Sequence, residues 1–209
     1  MNGTLVIVFA RAPLPGRAKT RLIPALGAAG AARLQARLIG RALETARRAR
    51  IGRVELHGAG VRGSARLRAL ARRHAVRLEA QADGDLGRRM ALAIGRGLRR
   101  ARRVVLIGSD CPVLRASDLR RAALRLAGGR DAVFAPAEDG GYTLVAMRRA
   151  SHRVFASIEW GSGRVMGATR ERLAALGWRW SELPRVWDVD RPEDCRRLAA
   201  SGLMIRRRS

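Results

Sequence analysis

Leu5-Val6-Ile7-Val8-Phe9-Ala10 is an unbroken apolar run that ends abruptly in a basic, proline-rich loop, Arg11-Ala12-Pro13-Leu14-Pro15-Gly16-Arg17-Ala18-Lys19-Thr20-Arg21. Apolar residues without alternation describe a strand buried on both faces, the form that parallel sheets demand. Val104-Val105-Leu106-Ile107-Gly108 repeats the pattern and runs into Ser109-Asp110-Cys111-Pro112. Between the two, hydrophobic spacing alternates. Leu34, Leu38, Ala42, Leu43 and Ala46 mark a helix over 28–50, 53–57 a short strand, 64–74 a helix and 76–80 a third strand. Leu86, Met90, Ile94 and Leu98 share one face of a helix over 86–100. Strand–helix alternation of this kind predicts an α/β fold with a mostly parallel, doubly wound sheet, Rossmann-like in its first half. Ligands then bind at the carboxyl ends of the strands.

The second half is expected to hold a helix over 117–127 with Ser117 as N-cap, strands over 131–135 and 142–147, a helix over 163–176, a strand over 178–183 and a last helix over 192–200. Pro192 suits the first position of that last helix. A chain of 209 residues can bury one sizeable core. The expectation is a single domain over 1–204, followed by a solvated basic tail, 205–209, that contains Arg206, Arg207 and Arg208.

No apolar run approaches the roughly 20 residues of a membrane span. The first apolar stretch lacks the basic leader and small-residue cleavage site of a signal peptide, so a cytoplasmic location is expected. Cys111 and Cys195 belong to no CxxC pair and read as free thiols in a reducing compartment. With His57, His74 and His152 scattered, a zinc site lacks ligands. The net charge of +26 invites a nucleic-acid partner, but arginine is spread over every expected helix and aromatics make up only 4% of residues. Lys19 is the sole lysine. Wholesale arginine with abundant alanine and glycine is the mark of a GC-rich coding bias. Weak polyanion binding follows as a side effect, with no specific nucleic-acid partner.

Five polar clusters sit at or near expected strand ends. The first, after Ala10, gathers Arg11, Arg17, Lys19 and Arg21 beside Gly16, but Ala18 stands where a P-loop needs glycine. Pro13 and Pro15 also lack the N–H groups of a phosphate nest. Side chains must therefore bind phosphate. Arg17, Lys19 and Arg21 point one way if the loop is extended, and Arg17 and Arg21 still converge if it is helical. The second cluster, Gln81-Ala82-Asp83-Gly84-Asp85-Leu86-Gly87-Arg88-Arg89-Met90, places Asp85 either as helix cap or, with Asp83, as partner of a ribose hydroxyl. The third puts Asp110 at a strand end, where a carboxylate suits a divalent cation on diphosphate oxygens. In the fourth, Glu138-Asp139-Gly140-Gly141-Tyr142, either carboxylate can serve as general base toward an acceptor hydroxyl. The fifth, Trp187-Asp188-Val189-Asp190-Arg191-Pro192-Glu193-Asp194, offers Asp190 or Arg191 as cap of the last helix and puts Asp188 and Asp190 on one face if extended, completing an oxygen-rich shell suited to magnesium or manganese.

Taken in order, Phe9–Arg21, Gly84-Asp85-Leu86-Gly87, Gly108–Pro112, Glu138–Tyr142 and Asp188–Asp194 resemble the DUF2064 family over almost the whole chain. This GT-A-fold group is related to the nucleotide-diphospho-sugar transferases, and some members are named arsenosugar-biosynthesis glycosyltransferases. The resemblance implies a three-layer α/β/α architecture with a nucleotide-binding half over 1–112 and an acceptor-side half over 113–204. It implies donor phosphates on the basic loop, a divalent metal on Asp110 assisted by Asp190, and an acceptor side at Glu138, Asp139, Gly140, Gly141 and Tyr142. The chain departs from the family at Glu159-Trp160-Gly161-Ser162-Gly163, at Thr143 and at Arg191. Trp160 and Ser162 therefore bear on which small acceptor is used. The implied reaction is metal-dependent glycosyl transfer from a nucleoside-diphospho sugar, with Lys19 among the groups that stabilise the leaving diphosphate. Nucleotidyl transfer with release of pyrophosphate uses the same residues. A non-catalytic polyanion binder is the reading of another class.

Overall fold

The two apolar runs lie side by side at the centre of the sheet. In the computed structural model, which describes residues 3–60 and 64–203, β1 (Thr4–Arg11) pairs in parallel with β2 (Arg53–Ala59) and with β4 (Arg103–Gly108). β3 (Arg77–Ala80) extends the sheet beyond β2. On the other side β6 (Tyr142–Met147) runs antiparallel to both β4 and β5 (Ala132–Pro136), and β7 (Trp180–Glu182) closes the edge parallel to β5. The order is β3-β2-β1-β4-β6-β5-β7, so only β6 opposes the common direction. Its direction has a local cause: residues 137–141 join β5 to β6 as a short turn, and a short turn can connect only antiparallel strands.

Strand alternation sorts the core into two layers of side chains. Val6, Val8, Leu56, Val105 and Ile107 face α1 (Ile23–Ala49), α2 (Ala65–Arg73) and α4 (Ala116–Ala127) through Ile39, Leu43, Leu67 and Leu119. Leu5, Ile7, Phe9, Leu106 and Phe134 face α3 (Leu86–Leu98) and α5 (Val165–Ala175) through Met90, Ile94 and Leu173. Each large side chain so buried contributes about 1.5–3 kcal/mol. The result is the expected three-layer α/β/α arrangement. A smaller cluster of Leu22, Leu38, Trp187, Val189 and Leu198 binds α6 (Pro192–Ala200) to the start of α1 and pulls the fifth polar cluster toward the first.

Some element ends differ from expectation. The first helix begins at Ile23, with Pro24 in its first turn, and bends at Gly27, whose φ of 67° no helix interior contains. Ser117 is not an N-cap. α4 starts one residue before it, and Asp118 reaches back to accept the Arg115 N–H at 2.8 Å, placing a carboxylate at the positive end of the helix. Ser64 does cap α2, accepting the Leu67 N–H. The basic tail expected over 205–209 lies outside the described residues. No helix among the described residues is long and apolar enough to cross a membrane.

Candidate active site

The sheet order reverses between β1 and β4, and at such a switch point the connections leave in opposite directions and open a crevice at the strand ends. Here the crevice is a cavity of about 350 Å³, lined by Arg11 from the end of β1, Asp110 and Cys111 after β4, and Asp139, Gly141 and Tyr142 around the β5–β6 turn. Gln81, Leu86, Arg89 and Met90 come from the β3–α3 connection, Trp160 and Ser162 from the segment before α5, and Asp188 from the stretch before α6.

Lys19 organises the floor. It sits in the left-handed region, at φ 50°, with its side chain only 4% exposed. Its ammonium lies 2.7 Å from Asp110 Oδ2 and 4.0 Å from Asp190 Oδ1, and donates to the Val189 carbonyl at 2.5 Å. Val189 N–H in turn donates to the Asp110 carbonyl, so the fifth cluster is stitched to the end of β4. Arg21 holds the other oxygen of Asp190 at 2.5 Å. The basic loop therefore does not converge as its spacing predicts. Lys19 turns inward and Arg21 engages Asp190, while Arg17 and Gly16 are exposed in the turn away from the cavity, Gly16 with φ 74°. The physical reason is the turn at 15–17, which breaks both regular geometries.

Asp110 is also held from beneath. Ser109 donates to its Oδ1 at 2.8 Å, and Gln35, buried in the middle of α1, donates to Ser109 Oγ at 3.2 Å. Nothing in the local sequence marks Gln35; a polar residue at a buried helical position is the one signal that reveals it. Asp188 lies among Asp139, Asp110 and Asp190, and its carboxyl is pushed up to about 6, first by burial and then by these like charges. Burial pushes the Cys111 thiol up to about 11, so it stays protonated and is no nucleophile. Cys111 and Cys195 are both free, as expected.

The remaining candidates divide. Asp139 faces the cavity, with Oδ1 accepting the Gly141 N–H at 2.9 Å. Glu138 does not line it. Glu138 is gripped by both guanidinium nitrogens of Arg197, at 2.6 and 3.0 Å, and Arg197 stacks over the Trp187 ring at 4.5 Å. The Arg197 bonds hold the Glu138 carboxyl below its ordinary value, the reverse of what a base requires. Asp85 caps α3, accepting the Arg88 N–H at 2.7 Å, and Asp83 is exposed outside the cavity. Gly87 is buried under Trp160: a Cβ there would stand 2.7 Å from the indole ring. Gly140 (φ 88°) likewise allows contact with the backbone of Gly163, and its carbonyl accepts the Met166 N–H in the first turn of α5. Tyr142 and Trp160 pack edge to face at 6.2 Å, and burial keeps the Tyr142 phenol protonated.

Two cavity residues lie in the second cluster but carry no role in the sequence reading. Arg89 lies one turn into α3, with Nε fixed by the Gly84 carbonyl at 2.7 Å. Gln81 bridges strand ends, donating to the carbonyls of Ala10 and His57 at 3.2 and 2.9 Å. Among the described residues, no three His, Cys, Asp or Glu side chains stand close enough to hold a metal ion as they lie. The donor chemistry nevertheless suits a hard cation. Asp110, Asp188 and Asp190 offer carboxylate oxygens alone, and their mutual repulsion is answered in the floor by Lys19.

The family model described as an uncharacterized protein conserved in bacteria (DUF2064) matches residues 42–162. A candidate nucleotide-diphospho-sugar transferase from Desulfovibrio desulfuricans G20 superposes with a TM-score of 0.84 at 31% identity, over 97% of this chain and 88% of that one. CMP:2-keto-3-deoxy-manno-octonic acid synthetase, solved with CTP, superposes at 0.63 with 12% identity, over 95% and 98%. Rv0371C of Mycobacterium tuberculosis H37Rv, solved with manganese, does so at 0.61 with 20% identity, over 96% and 100%. The last two share the fold alone. No curated protein matches the sequence.

Proposed function

The chain belongs to the DUF2064 family, and from that premise we propose that it is a transferase using a nucleotide-activated donor, transferring a glycosyl group from a nucleoside-diphospho sugar to a small acceptor. The observation that carries this reading is the switch-point cleft itself, where Arg11, Arg89, Asp110, Asp139 and Asp188 line one small cavity. Guanidinium groups in the lining suit a diphosphate leaving group, and Asp139 suits a hydroxyl to be deprotonated. Tyr142, Trp160 and Ser162 form the acceptor wall.

Asp110, Asp190 and Asp188 would hold a magnesium or manganese ion, which would supply positive charge against the donor's diphosphate. Asp139 takes the proton of the acceptor hydroxyl, and the acceptor oxygen bonds to the anomeric carbon as its bond to the diphosphate breaks. Arg11 and Arg89 receive the charge that grows on the departing nucleoside diphosphate. Lys19 acts from behind, by fixing Asp110 and the Val189 carbonyl. With Lys19 and Arg21 engaged on the carboxylates, the first loop offers few free cations to a triphosphate, which favours glycosyl over nucleotidyl transfer.

A thermal-shift screen tests this, with UDP-, GDP-, ADP- and dTDP-sugars and free NTPs, with and without manganese, on wild type and Asp110→Asn. A donor at ~100 times its dissociation constant adds about 2.7 kcal/mol of stability. The expected result is a manganese-dependent rise with one sugar nucleotide that Asp110→Asn loses. A rise with free NTPs alone, accompanied by pyrophosphate release, replaces glycosyl with nucleotidyl transfer. An equal response of the variant removes Asp110 from the donor site.

A further inference from the structure

We propose that the wedge between α3 and the β2–β3 edge of the sheet is a second binding site, one for a small phosphate-type anion, beside the cleft and separate from its carboxylates. The register sets the wedge up. Ile7 and Phe9 of β1 pair with Glu55 and His57 of β2, which pair in turn with Arg77 and Glu79 of β3. The face that is apolar under α3 thus turns polar one strand further out. Ala80, Ala82 and Ala93 leave room there, and a cavity of about 270 Å³ opens, walled by Arg77, Arg89, Arg96, Arg99 and Arg100 with His57 behind them.

Three of these guanidinium groups are held in place. Both oxygens of Glu55, which is fully buried, accept from Arg100 at 2.7 and 3.1 Å; Glu79 pairs with Arg77; and the Gly84 carbonyl fixes Arg89. The two carboxylates near the wedge are therefore already engaged by arginine. Arg96 and Arg99 are exposed, and neither side chain has a hydrogen bond or ion pair among the described residues. A wall of guanidinium groups, some pre-oriented and some unpaired, matches the bidentate geometry of phosphate oxygens. The absence of any Phe, Tyr or Trp from the wall removes the stacking platforms that a nucleic-acid strand uses, and about 270 Å³ gives room for a phosphate or pyrophosphate. Gln81 and Arg89 belong to both cavities, so the anion lies next to the donor. It is either a free phosphate or pyrophosphate ion, or a phosphate group of a molecule reaching over from the cleft.

The test is calorimetric titration with pyrophosphate at ~150 mM salt, where exposed charges more than about 8 Å apart are screened. EDTA is present, so that no metal-assisted donor site contributes. Wild type is compared with R96A/R99A and with R66A/R68A, which removes the same charge from exposed positions on α2, across the sheet. Saturable binding by wild type is expected, weakened roughly tenfold or more in R96A/R99A, as loss of charge-assisted hydrogen bonds implies, and unchanged in R66A/R68A. Equal weakening in both variants, or no saturable binding by wild type, overturns the site and leaves only general attraction to a basic protein. Separate titrations with UDP and GDP, with manganese in place of EDTA so that the cleft can be occupied, read the source. Weakening of pyrophosphate alone in R96A/R99A supports a free anion, and weakening of both supports a phosphate that extends from the cleft.

Discussion

At the residue scale, two adjacent carboxylates have opposite fates. Glu138 and Asp139 are equivalent in sequence, yet Arg197 takes both oxygens of the first while the second lines the cleft. Both lie in the β5–β6 turn, where Asp139 is tied back to the Gly141 N–H and Glu138 is drawn out to Arg197, so only one of the pair faces the acceptor. Once the donor is identified, Asp139→Asn is expected to lower kcat by about a hundredfold or more, the range of a lost general base. Glu138→Gln keeps most of the turnover. A steady-state assay in which Glu138→Gln is the more damaged of the two would reverse the assignment. Lys19 carries a related lesson. As the sole lysine it stood out from the sequence, but its partners, Asp110 and Val189, come from segments far along the chain.

At the element scale, the β5–β6 turn and the start of α5 lock together through glycine. A Cβ on Gly140 would fall 2.1 Å from the Gly163 carbonyl oxygen, and its φ of 88° is strained for any other residue. Gly140→Ala is therefore expected to cost about 1–3 kcal/mol in urea unfolding. Because Trp160 and Ser162 lie in the segment that must shift, acceptor affinity falls with it. An alanine variant as stable as wild type would show that the contact yields freely. Asp85 and Gly87 make the same point in reverse, since a motif that reads as ligand contact is used for capping a helix and for seating an indole.

At the scale of the whole molecule, the far edge of the sheet is pinned by one buried carboxylate. Asp131 accepts from Arg148 at 2.9 and 3.1 Å and from the Arg179 N–H at 3.0 Å, tying β5 to β6 and β7. Burial alone would raise its pKa, but the Arg179 N–H and the Arg148 guanidinium outweigh that and hold it below 3.8. A carboxylate with a depressed folded value stabilises fully above its unfolded value and loses that contribution as pH falls through the folded one. The stability difference between wild type and Asp131→Asn should thus be largest at neutral pH, about 2 kcal/mol or more. It should shrink as pH falls below about 3.8. A difference that stays constant down to pH 2 would sink the electrostatic account. The sequence by itself determined the α/β class, the central strands and the places where polar clusters end them, because burial on both faces leaves a continuous apolar run and a parallel sheet fixes where its ligands lie. It did not determine which members of each cluster face the cleft. That choice rests on turns, on the left-handed Lys19 and on pairings between residues more than 150 positions apart, such as Lys19 with Val189. Gln35 entered the site only through packing, since helical spacing marks a buried face but not what lies against it.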